Sequence, residues 1–274
     1  MDSYKKDLIR QASYNYNNKR DSYSGKAIYG EGRTEGGMTW DNFTPNPPGN
    51  LDAYFINFTS KIFAKPTTKL DTNVLEIGPG AGFFTRFFVE KFTPSCYTAV
   101  DVSEYFCIEL SKKFKNINQD HEILCGDALE HTLKMKDGYF DAIFICSTLH
   151  HLPDREELFL QLSRILKDGG IILITEPTHY IPRILTLAKK ILKRSYLSDQ
   201  SFSNPSFLSI HHYCTEGELR NLCDSTPGLR IKDIAFQGGK KLWLNRLLGK
   251  YSSAQLYCLI TKNTSNFYAK IKDA

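Results

Sequence analysis

From Thr72 onward the chain alternates short apolar runs with segments whose apolar residues recur every three or four positions. That alternation is how the strands and helices of a largely parallel sheet read in a sequence. It predicts strands over Asn73–Ile77, Tyr97–Val100, Glu122–Cys125, Phe140–Cys146 and Ile171–Thr175, and helices over Phe83–Phe92 and from Ser103 to Phe114. Phe140–Cys146 is a near-continuous apolar run, as expected of a strand covered by helices on both faces. A further helix is expected after Asp154, with Asp154 as N-cap and Glu157 as its capping-box partner. Its expected end is Lys167-Asp168-Gly169-Gly170, where a glycine can take the left-handed cap. Thr215 and Glu218 form a second capping pair. Leu229–Phe236 and Gln255–Thr261 read as strands, with a short helix around Trp243–Leu248 between them.

Two stretches break this rhythm. The region before Leu70 is rich in Tyr, Asn and Gly, with turn signals at Gly30-Glu31-Gly32, Gly36-Gly37 and Asn46-Pro47-Pro48-Gly49-Asn50 and a helix expected over Leu51–Ala64. Its aromatics, among them Tyr14, Tyr16, Tyr23, Tyr29, Trp40 and Phe43, either fold over a ligand as a lid or cover the sheet edge. The second break runs from Thr178 to His212. Within it, Pro182–Tyr196 reads as a helix with Ile184, Leu185, Leu187, Ala188, Ile191 and Leu192 on one side and Arg183, Lys189, Lys190, Lys193 and Arg194 on the other. Such a helix covers a core or pocket, or makes peripheral contact with an anionic membrane. The expected organisation is thus a cap or lid over 1–70, a core domain over 71–263 with a variable insertion at 178–212, and a tail over 264–274.

Composition narrows the class without naming a function. With 41% hydrophobic and 24% charged residues, the 274-residue chain can bury a real core, which excludes disorder and a coiled coil. A net charge of +5 is too mild at this length to point to nucleic acid. The seven cysteines are scattered, odd in number and without C-x-x-C spacing, so neither a zinc site nor a disulfide framework is expected. Met1–Arg20 has no apolar signal-peptide region. A reducing, cytoplasmic setting is the expectation, with oligomeric state left open.

The chemistry concentrates in Val74-Leu75-Glu76-Ile77-Gly78-Pro79-Gly80-Ala81-Gly82, an apolar strand running into a glycine turn and then a helix. Glycine lets the turn close tightly and approach a ligand without a Cβ in the way. A dinucleotide turn places its third glycine one residue later, where this chain has Phe83. Glu76 would also sit poorly beside a pyrophosphate; a positively charged ligand without phosphate suits it better. Asp101, ending Ala99-Val100-Asp101, is placed to accept ribose hydroxyls, and Asp127 in Gly126-Asp127-Ala128 can accept from an adenine amino group or cap the next helix. All three lie after successive strands, at one sheet edge.

With Phe140-Asp141-Ala142-Ile143-Phe144, Ser147-Thr148-Leu149-His150-His151-Leu152-Pro153-Asp154 and Leu166-Lys167-Asp168-Gly169-Gly170 leading to Glu176-Pro177, this string over 72–177 resembles a class I S-adenosylmethionine (SAM)-dependent methyltransferase of the broad small-molecule and quinone-type group. The resemblance implies an α/β, Rossmann-like, doubly wound seven-stranded sheet whose last strand is antiparallel. It implies SAM as cofactor, with Glu76, Gly78, Pro79, Gly80, Gly82, Asp101, Val102, Asp127 and Ala128 at its site: the turn from Gly78 to Gly82 at the methionine part, Asp101 at the ribose and Asp127 at the adenine. Cys146 and Ser147 would line the methionine end.

Methyl transfer to a hydroxyl or protonated amine needs a base, and His150 and His151, just after the fourth strand, stand where an acceptor should arrive. Of the two, His151 is placed first; the alternative is that one packs under the next helix and the other meets solvent. No metal-ligand spacing is visible. The expected reaction is O-, N- or C-methylation of a small molecule. The alternatives are methylation of a lipid or quinone at a membrane surface, and a SAM-binding module without catalysis. An Asn/Asp-Pro-Pro-Tyr/Phe segment, the pattern of many amino-methylating enzymes of protein and nucleic acid, is not found after the fourth strand.

Overall fold

The computed structural model describes residues 72–92, 94–117, 120–177, 214–237 and 255–263. The strands are β1 (Asn73–Ile77), β2 (Cys96–Asp101), β3 (His121–Cys125), β4 (Phe140–Cys146), β5 (Leu166–Pro177), β6 (Leu229–Gln237) and β7 (Gln255–Lys262). The helices are α1 (Phe83–Phe92), α2 (Glu104–Ile117), α3 (Ala128–Lys134), α4 (Arg155–Ile165) and α5 (Glu216–Ser225), with a 3₁₀ turn at Leu149–His151. One seven-stranded sheet runs in the order β3-β2-β1-β4-β5-β7-β6. Its first five strands are mutually parallel, and β7 is antiparallel to both neighbours. The expected fold class, with its antiparallel last strand, is the observed one.

Alternate residues of each strand face opposite ways, and both faces are dry. Leu75, Ile77, Ile143, Ile145, Ile172 and Ile174 pack with Phe159 and Leu162 of α4 and Leu219 of α5. Val74, Tyr97, Phe144 and Leu173 pack with Phe87 and Phe88 of α1 and Leu110 and Phe114 of α2. Phe88 stacks on Phe144 with ring centroids 3.5 Å apart. A sheet covered on both faces leaves strand ends as the place for ligands. The strand order reverses between β1 and β4, the crevice where open α/β sheets bind them.

Local sequence explains most element ends, and the departures have physical causes. The Thr215 hydroxyl accepts from Glu218 N, making half of the expected box. The Glu218 carboxylate does not reach back but pairs with buried Arg155 at 2.5 Å, joining α5 to α4. Asp154 starts α4 without capping it: its φ of −100° and ψ of 61° lie outside extended geometry, and its side chain accepts no helix N–H. The Glu157 carboxylate meets Gln161 instead of the N-terminus. Helix α4 ends at Ile165, before the glycines, and Leu166 already pairs with Phe140. Lys167–Gly170 then bulge out before Ile171 pairs with Ala142. Gly169 is left-handed, φ 76°, inside this excursion rather than as a helix cap. Lys167 bonding Asp141 at 2.7 Å and Lys262 bonding Leu166 O at 2.7 Å hold it.

The pattern gave no bounds for helix α3, which is seven residues long; its cap is Asp127, one of the two roles open to that residue. The readings that fall on 1–71, 178–213, 238–254 and 264–274 lie outside the described residues. These include the expected helices Leu51–Ala64, Pro182–Tyr196 and Trp243–Leu248, the lid and the tail. Among the described residues, no helix is long and apolar enough to cross a membrane.

Candidate functional site: the turns at the β1, β2 and β4 ends

The backbone leaves β1 through Gly78, whose N–H bonds Val100 O at 2.8 Å, so the turn starts fastened to β2. Gly78, Gly80 and Gly82 all have positive φ (71°, 52° and 79°). That is a run of left-handed backbone only glycine accepts without strain. Gly80 has open space where a Cβ would point. Its N–H donates to Asp101 Oδ2 at 2.9 Å, while Oδ1 accepts Ser103 N at 2.8 Å. Asp101 therefore ties the glycine turn to the start of α2. Val102 is half-buried beside it, and Gly126 N bonds Asp101 O at 2.9 Å, bringing the β3 end alongside.

Glu76 is fully enclosed. Its Oε2 accepts from the hydroxyls of Thr85 (2.6 Å) and Tyr97 (2.7 Å). Its Oε1 is buried without a hydrogen-bond partner. Burial pushes its carboxyl up to about 7, against the lowering effect of the two hydroxyls, and burial likewise pushes Asp101 up to about 6. A folded-state pKa above the unfolded one favours the protonated native state. Each group therefore contributes stability that is present at acid pH and lost as pH rises through the folded value. Stability of the ligand-free protein is accordingly expected to fall as pH rises from the ordinary carboxylate range, about pH 4, to about pH 7. Glu76→Gln, which mimics the neutral form, should flatten that fall and be the more stable protein at pH 8 by at least about 1 kcal/mol. Parallel urea-denaturation profiles of the two proteins across this range would contradict the assignment.

Asp127 is the N-cap of α3, its Oδ1 accepting from Leu129 N (2.8 Å) and Glu130 N (3.1 Å). Ala128, buried, begins the helix, and Pro79 is buried in the glycine turn. Cys146 is buried at the end of β4, its thiol pushed well above its usual range by burial and then by the nearby Glu76 carboxylate. Ser147 follows with φ 53°, the one non-glycine residue of positive φ among those described. A non-glycine residue held there marks a strained, over-determined position.

On the far side of this turn stands Glu176, fully buried near the end of β5. Its Oε1 accepts from Thr148 N (3.0 Å) and Leu149 N (2.7 Å). Its Oε2 is 2.7 Å from His150 Nδ1. It is thus His150, buried, and not the half-buried His151, that bonds the carboxylate. Arg155 secures the same turn, its Nε donating to Leu149 O (2.9 Å) and Leu152 O (3.1 Å). Sequence reasoning passed over the roles of Glu176, Thr148 and Tyr97. A signal for Glu176 was present: an acid closing the apolar run Ile171-Ile172-Leu173-Ile174 is costly to bury without partners. No group of three or more residues able to hold a metal occurs among the described residues.

Residues 75–174 match the family described as methyltransferase domain. Among curated proteins, the chain is 29% identical over 138 residues to a sarcosine/dimethylglycine N-methyltransferase of Halorhodospira halochloris, covering 50% of this chain and 48% of that protein. It is 26% identical over 172 residues to an uncharacterized chloroplastic methyltransferase of Arabidopsis thaliana, covering 60% of this chain and 44% of that protein. The chain thus spans less than half the length of these relatives. In fold it is similar to the CurJ carbon methyltransferase (TM-score 0.56, 13% identity, 93% of this chain and 71% of that one). It is equally similar to the [4+2]-cyclase SpnF (TM-score 0.56, 15% identity, 92% and 95%). Residues 75–174 thus match a methyltransferase domain, and in fold and motif order the described part of the chain resembles a class I SAM-dependent methyltransferase.

The cofactor of that class is SAM, and the residues present fit it. A buried, unpartnered acceptor on Glu76 suits a cationic ligand, and the open space over Gly80 admits close approach.

Proposed function

We propose that this protein transfers the methyl group of SAM to a small molecule that loses a proton in the reaction. The His150–Glu176 pair, on the turn that Thr148 joins to Gly78 at the start of the glycine turn, carries the reading. When bound, SAM supplies an electrophilic methyl carbon on a sulfonium, so the protein needs alignment and proton removal, not a covalent intermediate.

The glycine turn with Glu76 would hold the methionine part, Asp101 the ribose, and Asp127 with Ala128 the adenine end. Asp127 uses Oδ1 as a helix cap and would serve the adenine alongside that role. A carboxylate accepts but cannot donate, so Glu176 holds the proton of His150 on Nδ1 and leaves Nε2 as an acceptor. His150 thereby becomes the preferred base over His151. Such a base suits an acceptor O–H, N–H or acidified C–H; relatives named for sarcosine/dimethylglycine and tocopherol methylation support a small-molecule acceptor. Seven cysteines, none of them in a disulfide, support a reducing compartment such as the cytoplasm.

The test is incubation with methyl-labelled SAM and a panel of phenols, quinols, amines and β-keto thioesters. Label transfer with stoichiometric S-adenosylhomocysteine is the expected result. Tight SAM binding without transfer to any of them would instead favour a non-catalytic module.

A further inference from the structure

The reaction as proposed makes no use of Thr148, yet its side chain touches both halves of the site. A Cβ built on Gly78 would lie 2.3 Å from both Cγ2 and Oγ1 of Thr148. The threonine therefore fills the space that Gly78 leaves, and the two residues can only meet because position 78 has no side chain. The Thr148 hydroxyl lies 3.1 Å from Gly78 O and 3.0 Å from Cys146 O. Its single proton faces two carbonyls, one at the end of β1 and one at the end of β4. The backbone pairing of these strands stops at Ile77 with Ile145. Thr148 carries the connection beyond that last pair, into the turns where the reaction takes place.

The same residue is fixed from β5. Its N–H is held by Glu176 Oε1 at 3.0 Å, and the preceding Ser147 N–H bonds Thr175 O at 2.7 Å. The left-handed φ of Ser147 is what swings Thr148 back over Gly78. Two residues later comes His150, on the same carboxylate.

We infer that Thr148 is a positioning residue that braces the cofactor turn at Gly78 against the turn bearing His150, so that the protein sets the spacing between methyl donor and base. This rests on the methyl-transfer reading. A side chain that merely filled space would contribute stability and nothing more; a brace contributes alignment, and a misplacement of about 1 Å can cost on the order of a hundredfold in rate.

The test compares Thr148→Val, which keeps the shape and removes the hydroxyl, with Thr148→Ser, which keeps the hydroxyl. For Thr148→Val the expected result is kcat lowered about tenfold or more with KM for SAM changed less than about threefold. Hydrogen exchange in the ligand-free protein should quicken in peptides covering 75–82 and 147–152 while the melting temperature stays near the native value. Thr148→Ser should restore native exchange and at least a third of native kcat. Native kcat and native exchange in Thr148→Val would overturn the inference. So would a lowered melting temperature with no change in exchange at these two turns, or failure of serine to rescue. Should the native protein neither bind nor turn over SAM, the functional reading fails by itself, and the exchange comparison still decides whether Thr148 braces the two turns.

Discussion

Replacing His150 by alanine is expected to lower kcat about a hundredfold or more while leaving the dissociation constant for SAM within about threefold of native. Glu176→Gln should do nearly as much damage, and the reason is the proton. A glutamine has one accepting oxygen and one NH₂ group. If its oxygen keeps the two N–H groups of Thr148 and Leu149, now held by Glu176 Oε1, its NH₂ must face His150 Nδ1. That stabilises the tautomer with the proton on Nε2, the nitrogen the proposed reaction needs free. The ring stays in place and loses its function. His151→Ala, which leaves the His150–Glu176 bond intact, should cost less than about tenfold. Steady-state formation of S-adenosylhomocysteine, with calorimetry to check SAM binding, separates these outcomes. Native kcat in His150→Ala would remove the base from the account.

Asp101→Ala should weaken SAM binding about a hundredfold. Two effects add. A carboxylate that accepts ribose hydroxyls makes charge-assisted bonds worth roughly 1.5–3 kcal/mol each. Its loss also orphans the N–H groups of Gly80 and Ser103, which it holds at 2.9 and 2.8 Å, and so loosens the glycine turn itself. Asp101→Asn separates the two effects. It can still accept from one of these N–H groups, and should fall between native and alanine. Calorimetric titration of the three proteins with SAM checks the order; equal affinities would show that the ribose is held elsewhere.

The sheet and the glycine turn were legible because their signals are local. An apolar run ending in Gly78-Pro79-Gly80-Ala81-Gly82 needs no tertiary knowledge to be read as strand, turn and helix. Asp101 and Asp127 are marked by where the runs before them stop. The acceptor side was less legible because its bonds join residues far apart in sequence. Glu176 meets Thr148, Leu149 and His150 across 26 to 28 positions, and Thr148 meets Gly78 across 70. No periodicity announces such pairs. The same holds for Glu218, whose expected capping role gave way to an ion pair with Arg155 across 63 positions. The bulge at Lys167–Gly170 displaced the expected helix end because β5 begins pairing at Leu166, a tertiary preference that overrides the local glycine signal.

The fold alone does not dictate the reaction, since the similar folds include one named a [4+2]-cyclase as well as one named a carbon methyltransferase. What separates the possibilities is what the site binds. The most direct measurement is calorimetric titration of the purified chain with SAM and, in parallel, with NAD. The account predicts one-to-one binding of SAM with a micromolar dissociation constant, about −8 kcal/mol, and no heat of binding from NAD. Binding of NAD, or no binding of SAM by the folded protein, would contradict it.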